Sequence, residues 1–366
     1  MAKVHIVGAG LSGMVAAIDL AREGYEVLVL EGHPGIGGMK GVHPSAHTTP
    51  IDVTAASRYT GIDLSSCFKP IKEFRLGVLD RLYACGTESL FCVERSERPT
   101  SIDSYLYEEC LRAGVRFSFG TMITDPLTLP PGTIIATGLH PEMFEALKIP
   151  CRTVYSFWMF AERSSGALDN LKAEFEQLLV GYLEDYTTDY FYVTAVNGLW
   201  YALLFSRRPL SDSNLADCVK KVKERLGVTL RGWKYLTGRV PTKSFRNPVL
   251  FLGDKIITGS LSGSMDPMFL FGIHGAIYSG KIAALAVRDR EKAQQEFRWL
   301  NRFFAPTLFQ RRLAEISPLR NPMMNLLLRG IPRTTCQMSR FSTLGVPGYR
   351  AFKPLISSVR PARPGV

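Results

Sequence analysis

Residues 3–31, KVHIVGAGLSGMVAAIDLAREGYEVLVLE, constrain the fold more than any other stretch of this 366-residue chain. Val4 to Val7 form a short apolar strand of the fully buried, parallel-sheet kind. Gly8-x-Gly10-x-x-Gly13 follows at once and opens a helix that runs to about Arg22. Gly24 ends that helix, Val27–Leu30 make a second strand, and Glu31 closes it. Gly8 permits the tight turn, Gly10 lets the backbone approach a pyrophosphate, and Gly13 lets helix pack closely on strand. The helix N-terminus, with Ser12 in its first turn, presents free N–H groups and a positive dipole end to phosphates. Glu31 can accept hydrogen bonds from both ribose hydroxyls. Strand, glycines, helix, second strand and acid stand in register, the context that a lone glycine motif lacks.

Beyond Glu31 the chain reads Gly35-Ile-Gly37-Gly38. The run VGAGLSGMVAA…VLVLE…GG resembles the FAD-binding flavoproteins of the glutathione-reductase-like superfamily. The resemblance implies a Rossmann-like α/β domain with FAD as cofactor. It extends to TIIATG at 133–138, where Thr137 and Gly138 would turn over the cofactor. It extends also to VLFLGD at 249–254, where Gly253 and Asp254 would hold the ribityl chain. In GSMDPMFLFGIHGAIYSGKIAALAV, residues 263–287, Pro267, Gly272 and Ile273 would bring a helix N-terminus to the flavin. Arg58 is a candidate cofactor or substrate contact, and His274 the candidate proton donor ahead of Tyr59, Cys67 and Tyr201.

The layout looks most like geranylgeranyl-reductase-type flavoproteins and the related aromatic hydroxylases. The Asp-Gly motif of the hydroxylases and the Trp-x-Trp-x-Ile-Pro stretch of flavin halogenases are both missing. The lipid reductases' Gly-Tyr-x-Trp-x-x-Pro strand has only a loose counterpart in Asn197–Phe205. Thr153–Ala161, Tyr190–Val196 and Trp200–Ser206 read as sheet strands and Asn214–Leu226 as a helix. The expected organisation is a discontinuous FAD domain, 1–150 and 239–297, an inserted antiparallel-sheet substrate domain at 151–238, and a basic helical tail at 298–366. Aromatic residues of the inserted sheet would line an apolar pocket facing the flavin.

Charge distinguishes the tail. Residues 298–366 hold twelve Arg or Lys and one acid, Glu315, so the whole net charge of +11 lies there. Trp299, Phe303, Phe304 and the Met323–Leu328 run lie among these cations. Such a mixture suits an anionic membrane surface or a tail packed on the body of the protein. No nucleic-acid-binding motif accompanies it. Seven cysteines, an odd number without a C-x-x-C pair, argue against a disulfide scaffold and against a structural zinc or iron–sulfur site. His33, His43 and His47 read as ordinary loop histidines. The start MAKVHIVGAG lacks the features of a secretory signal, so the expected location is cytoplasmic, with the tail peripheral to the membrane. The expected activity is an FAD-dependent oxidoreductase acting on an apolar, isoprenoid or lipid substrate, with the electron donor unspecified. The alternatives are a soluble flavin monooxygenase or dehydrogenase of a small intermediate, and a flavin-binding interaction protein.

Overall fold

The computed structural model describes residues 2–38, 42–79, 81–85, 87, 90–162, 168–169, 177–187, 189–241, 247–267 and 269–302. Beyond these it describes 308, 311–312, 315, 320–322 and 325–326. The chain begins with β1 (Lys3–Val7), α1 (Leu11–Arg22), β2 (Glu26–Leu30), β3 (Ser45–Pro50), α2 (Val53–Thr60) and β4 (Phe68–Pro70). Then come β5 (Glu73–Val78), β6 (Arg81–Cys85), β7 (Leu90–Arg95), α3 (Ile102–Arg112), β8 (Arg116–Ser118), β9 (Ile134–Ile135) and α4 (Pro141–Ala146). The middle holds β10 (Cys151–Glu162), β11 (Leu168–Asp169), β12 (Leu178–Leu183), β13 (Phe191–Val196), β14 (Leu199–Ser206), α5 (Asp212–Leu226), β15 (Thr229–Leu230) and β16 (Lys234–Pro241). It closes with β17 (Phe251–Leu252), β18 (Lys255–Ile257), α6 (Ile273–Arg288) and α7 (Arg290–Arg302).

The first sheet has the order β17-β18-β9-β1-β2-β8. All its pairs are parallel except the β17–β18 hairpin. Its strands are short and apolar, as strands covered on both faces must be. One face carries α1, α3 and α6, with Ile6, Met14, Val15, Ile18, Ile277 and Ile282 almost fully buried between them. The other carries α4, whose Met143 and Phe144 close on Val7, Ile135 and Ile257. Helix α6 crosses α1 so closely that a Cβ on Gly280 would sit 2.5 Å from the Ser12 carbonyl oxygen. The small residues of α6 are there for this crossing.

The large sheet has the order β16-β10-β14-β13-β12-β5-β6, antiparallel throughout apart from the β12–β5 pair. Side chains alternate as a period of two requires. Phe157, Met159, Val193, Ala202 and Leu204 face α5, where Cys218, Val222 and Leu226 cover them. Trp158, Tyr192, Leu199 and Tyr201 face the other way. The sheet expected from 151–238 therefore has a second contributor, residues 73–85, and its edge strand β16 runs on to Pro241. A small antiparallel sheet, β3-β7-β4, lies at the seam, with β3 packed on β13, β14 and α6.

Of the tail, α7 buries Phe297 and Leu300 while Trp299 stays partly exposed. Described residues farther on reach the large sheet. Arg311 is buried against Asp189 at 2.9 Å, Arg320 donates to the Glu184 carbonyl, and Asn321 donates to the Leu183 carbonyl. Phe303, Phe304 and most of the 323–328 run lie outside the described residues. No helix among the described residues is long and apolar enough to cross a membrane.

Candidate functional site

Parallel strands deliver their carboxyl ends to one edge of the sheet, and there a cavity of about 640 Å³ opens between the first sheet and the large one. At one end stand Gly8, Gly10, Ser12, Glu31 and Gly38; at the other Tyr192, Tyr201, Leu203 and Phe205 of the large sheet. The glycine turn is built as its sequence requires. Gly8 has a φ of +104°, and a Cβ there would lie 2.6 Å from the Ala136 carbonyl oxygen. Gly13 packs against the Gly8 carbonyl, where a Cβ would come within 2.1 Å, so its part is structural. Gly10 has only the Ala136 oxygen at 3.9 Å and borders open cavity.

The Glu31 carboxylate accepts from the Ala9 N–H at 2.7 Å and the His33 N–H at 2.8 Å. It is thus pinned across the mouth of the glycine turn, with lone pairs left for a ribose. Glu31→Ala is expected to weaken dinucleotide binding by about 1–3 kcal/mol, because two backbone donors lose their partner along with the ligand. Isothermal titration with FAD checks this, and an unchanged affinity would show that the acid is not on the ribose.

Thr137, Gly138, Gly272 and Ile273 also line the cavity. The start of α6, where Gly272 is the N-cap, thereby faces it. Gly37 does not line it; its role is to turn with a φ of +93° against the backbone of Ser96 and Glu97.

Besides Gly13 and Gly37, five expected site residues lie away from the cavity. Arg58 is exposed on α2, whose Ala55, Ala56 and Tyr59 form the buried side. Gly253 and Asp254 form the exposed turn of the β17–β18 hairpin, with the Asp254 carboxylate 2.6 Å from Lys255 Nζ. That turn sits at the amino end of β18, whereas the cavity lies past its carboxyl end, where Gly259 and Ser260 stand. Pro267 is buried with its carbonyl turned to Arg207. His274 lies in the first turn of α6 but points into the protein rather than the cavity, and burial lowers its pKa to about 4. Of the other candidate proton donors, Tyr59 and Cys67 belong to the core beneath the first sheet, and Tyr201 faces the cavity.

Arg95, Thr48 and Thr49 line the cavity without being expected there, and no sequence pattern singles them out. Arg95 is held by a bidentate ion pair to Asp103, at 2.7 and 2.8 Å. His43 and His47 line the cavity too, and His47 belongs to strand β3 rather than a loop. The Oγ1 atoms of Thr48, Thr49 and Thr137 are buried at the cavity without a protein partner. Each such group costs about 1–3 kcal/mol unless a ligand satisfies it.

Residues 6–48 match the model of an NAD(P)-binding Rossmann-like domain. A 50-residue stretch is 42% identical to a flavin-containing monooxygenase of Arabidopsis thaliana, a stretch that is 14% of this chain and 11% of that protein. Similarity of fold extends over nearly the whole chain. A geranylgeranyl bacteriochlorophyll reductase-like protein of Thermoplasma acidophilum superposes with a TM-score of 0.62 at 16% identity, covering 98% of this chain and 96% of that one. A flavin-dependent brominase, as a triple mutant, gives 0.63 at 14% identity, with 97% and 98% covered. The p-nitrophenol 4-monooxygenase of Pseudomonas putida gives 0.61 at 12% identity, with 96% and 99% covered. The likeness at these identities is one of fold, shared over nearly the whole length of each chain.

Proposed function

We propose that this chain is an FAD-dependent oxidoreductase of the geranylgeranyl-reductase-like type, acting on an apolar substrate of isoprenoid or lipid class. One observation carries the reading: a single cavity joins the glycine turn and Glu31 to an aromatic and aliphatic face of the large sheet. The residues present fit an extended dinucleotide. Gly8, Gly10 and the start of α1 would take the pyrophosphate, Glu31 a ribose, and the unpartnered Thr137 hydroxyl a polar edge of the cofactor. Gly272 and Ile273 would set the positive end of α6 against the flavin ring. When bound, FAD supplies the hydride or electron transfer. The chain's part is to position it and to close the apolar side with Tyr192, Tyr201, Leu203 and Phe205, which exclude water.

The test is titration of the purified protein with FAD, followed by difference spectra on adding isoprenoid alcohols of increasing length. A protein that gains no flavin absorbance ends the reading. One that binds FAD but responds only to small polar phenols ends the substrate class.

An anionic surface is the partner we propose for the tail, on the charge of residues 298–366. Arg311 and Arg320 are already engaged inside the protein, so the remaining cations carry the interaction. Binding to anionic vesicles is expected to fall as salt rises, each exposed Lys or Arg being worth roughly 1 kcal/mol within a Debye length. Equal, negligible co-sedimentation with anionic and neutral vesicles at low salt would remove the claim.

A further inference from the structure

His43 Nδ1 lies 2.6 Å from Ser45 Oγ, and the same oxygen lies 2.8 Å from His47 Nε2. Two imidazoles are thus joined through one hydroxyl into an unbroken hydrogen-bonded chain. Ser45 and His47 are alternate residues of β3 and share a face, and the turn just before the strand brings the His43 ring to the same hydroxyl. We infer that His43, Ser45 and His47 form a proton relay into the cavity, with His47 exchanging the proton with the atoms that react there. The inference rests on the flavin reading above, because hydride or electron transfer leaves a proton to be placed.

Position comes first. Strand β3 sits at the seam, packed on β13, β14 and α6, and both histidines line the cavity. The His47 ring is 5.9 Å from that of Tyr201 on the large sheet. The His43 ring lies against Gly38, whose Cβ would come within 2.8 Å of it. The chain therefore runs from the glycine-pair side, where the cofactor would enter, to the apolar side.

Protonation state comes second. Burial pushes both imidazoles down to about 3, and the Arg95 guanidinium pushes the same way. At His43 a hydrogen bond with the Arg95 backbone opposes the shift and His33 adds to it; at His47 the neighbouring His43 also pushes down, and Asp103, paired to Arg95, opposes. Tyr201, the phenol facing His47, is held protonated by burial. Both histidines are therefore neutral at pH 7, each with one N–H and one bare nitrogen. A neutral imidazole can accept at one nitrogen while releasing from the other; an imidazolium can only donate.

The transfer balances. A proton binds His43 Nε2, the Nδ1 proton passes to Ser45 Oγ, and the serine proton passes to His47 Nε2. The proton on His47 Nδ1 then goes to the reacting atom. Each hop breaks one N–H or O–H bond and forms another, and no charge remains in the relay. The hydrogen bonds end reversed, ready for a proton moving the opposite way.

The experiment compares wild type with Ser45→Ala, Ser45→Thr and His47→Gln, each first shown to bind reducible FAD. Dithionite-reduced protein is mixed with O₂, which takes two electrons and two protons to H₂O₂, in H₂O and D₂O across pH. Wild type should show a solvent isotope effect. Ser45→Ala and His47→Gln should slow reoxidation by about a hundredfold, the usual worth of a positioned proton donor. Ser45→Thr, which keeps the hydroxyl, should restore most of the rate. A second readout is ¹⁵N NMR of the imidazoles, where Ser45→Ala should change the tautomer balance of both rings. Unchanged rate and isotope effect in Ser45→Ala would overturn the relay, as would unmoved ¹⁵N signals. A wild type that binds no reducible FAD would instead overturn the flavin reading on which the relay depends.

Discussion

Replacing Gly10 by valine is expected to give a folded protein that takes up no flavin. The contrast with its neighbours in the motif makes the result diagnostic. A Cβ at Gly13 would come within 2.1 Å of the Gly8 carbonyl, and one at Gly8 within 2.6 Å of the Ala136 carbonyl. Valine at either position must force helix from strand, and stability should fall with occupancy. At Gly10 a Cβ would meet nothing beyond its chain neighbours closer than the Ala136 carbonyl oxygen at 3.9 Å, so a branched side chain is expected to fill the cavity mouth instead. That space is where the pyrophosphate would approach the turn. The loss should exceed a hundredfold in FAD affinity, about 3 kcal/mol or more, while the thermal midpoint of the apoprotein stays near wild type. Visible flavin absorbance after FAD titration, read beside a melting curve, checks both halves. A yellow Gly10→Val protein would sink the cofactor assignment.

The part of the site nearest that turn was legible because local chain geometry dictates it. Strand, turn, helix and acid are contiguous, and every glycine has a short-range reason. The errors fall where neighbours are distant in sequence. VLFLGD and KIITGS both read as an apolar strand ending in glycine and a polar residue. Only the sheet separates them: β18 pairs with β9 and carries its carboxyl end to the cavity, while Gly253-Asp254 turns a hairpin at the opposite end. Strand β5 escaped for the same reason. It pairs in parallel with β12, joining Glu73 to Leu178, and no local pattern announces such a partner. His274 follows Gly272 in sequence but lies inside the first turn of α6, where a residue one position past Ile273 points about 100° around the helix, away from the cavity. His47 reads as a loop residue because the Gly/Pro-rich stretch before it hides the strand, whereas His43 does stand just outside that strand. Their importance comes from Ser45 between them and from β13 and β14, more than a hundred residues away.

Arg311→Ala is expected to destabilise the protein by about 3–5 kcal/mol, whereas Arg312→Ala should change stability by less than about 0.5 kcal/mol. Sequence alone treats the two as equal members of one basic tail. In the fold Arg311 is buried, meeting Asp189 at 2.9 Å and Glu315 at 2.9 Å, while Arg312 is exposed. Arg207 joins the same cluster through Glu315 at 2.8 Å. Removing Arg311 leaves the fully buried Asp189 carboxylate with less compensation, and an under-compensated buried charge is what makes such losses large. Acid should erode the same cluster. Burial alone would raise the Glu315 carboxyl, but the hydrogen bond and charge of Arg311, with Arg207, outweigh it and hold the group below its ordinary value. A lowered carboxylate contributes stability above its unfolded pKa and loses it as pH falls through the folded one, so acid weakens the tail's hold. Urea denaturation of both variants at neutral pH is the measurement. Equal midpoints for Arg311→Ala and Arg312→Ala would show that this part of the tail is not docked. A large loss confined to Arg311 would divide the tail's cations in two: those spent on the large sheet, and those, Arg312 among them, left free for an anionic surface.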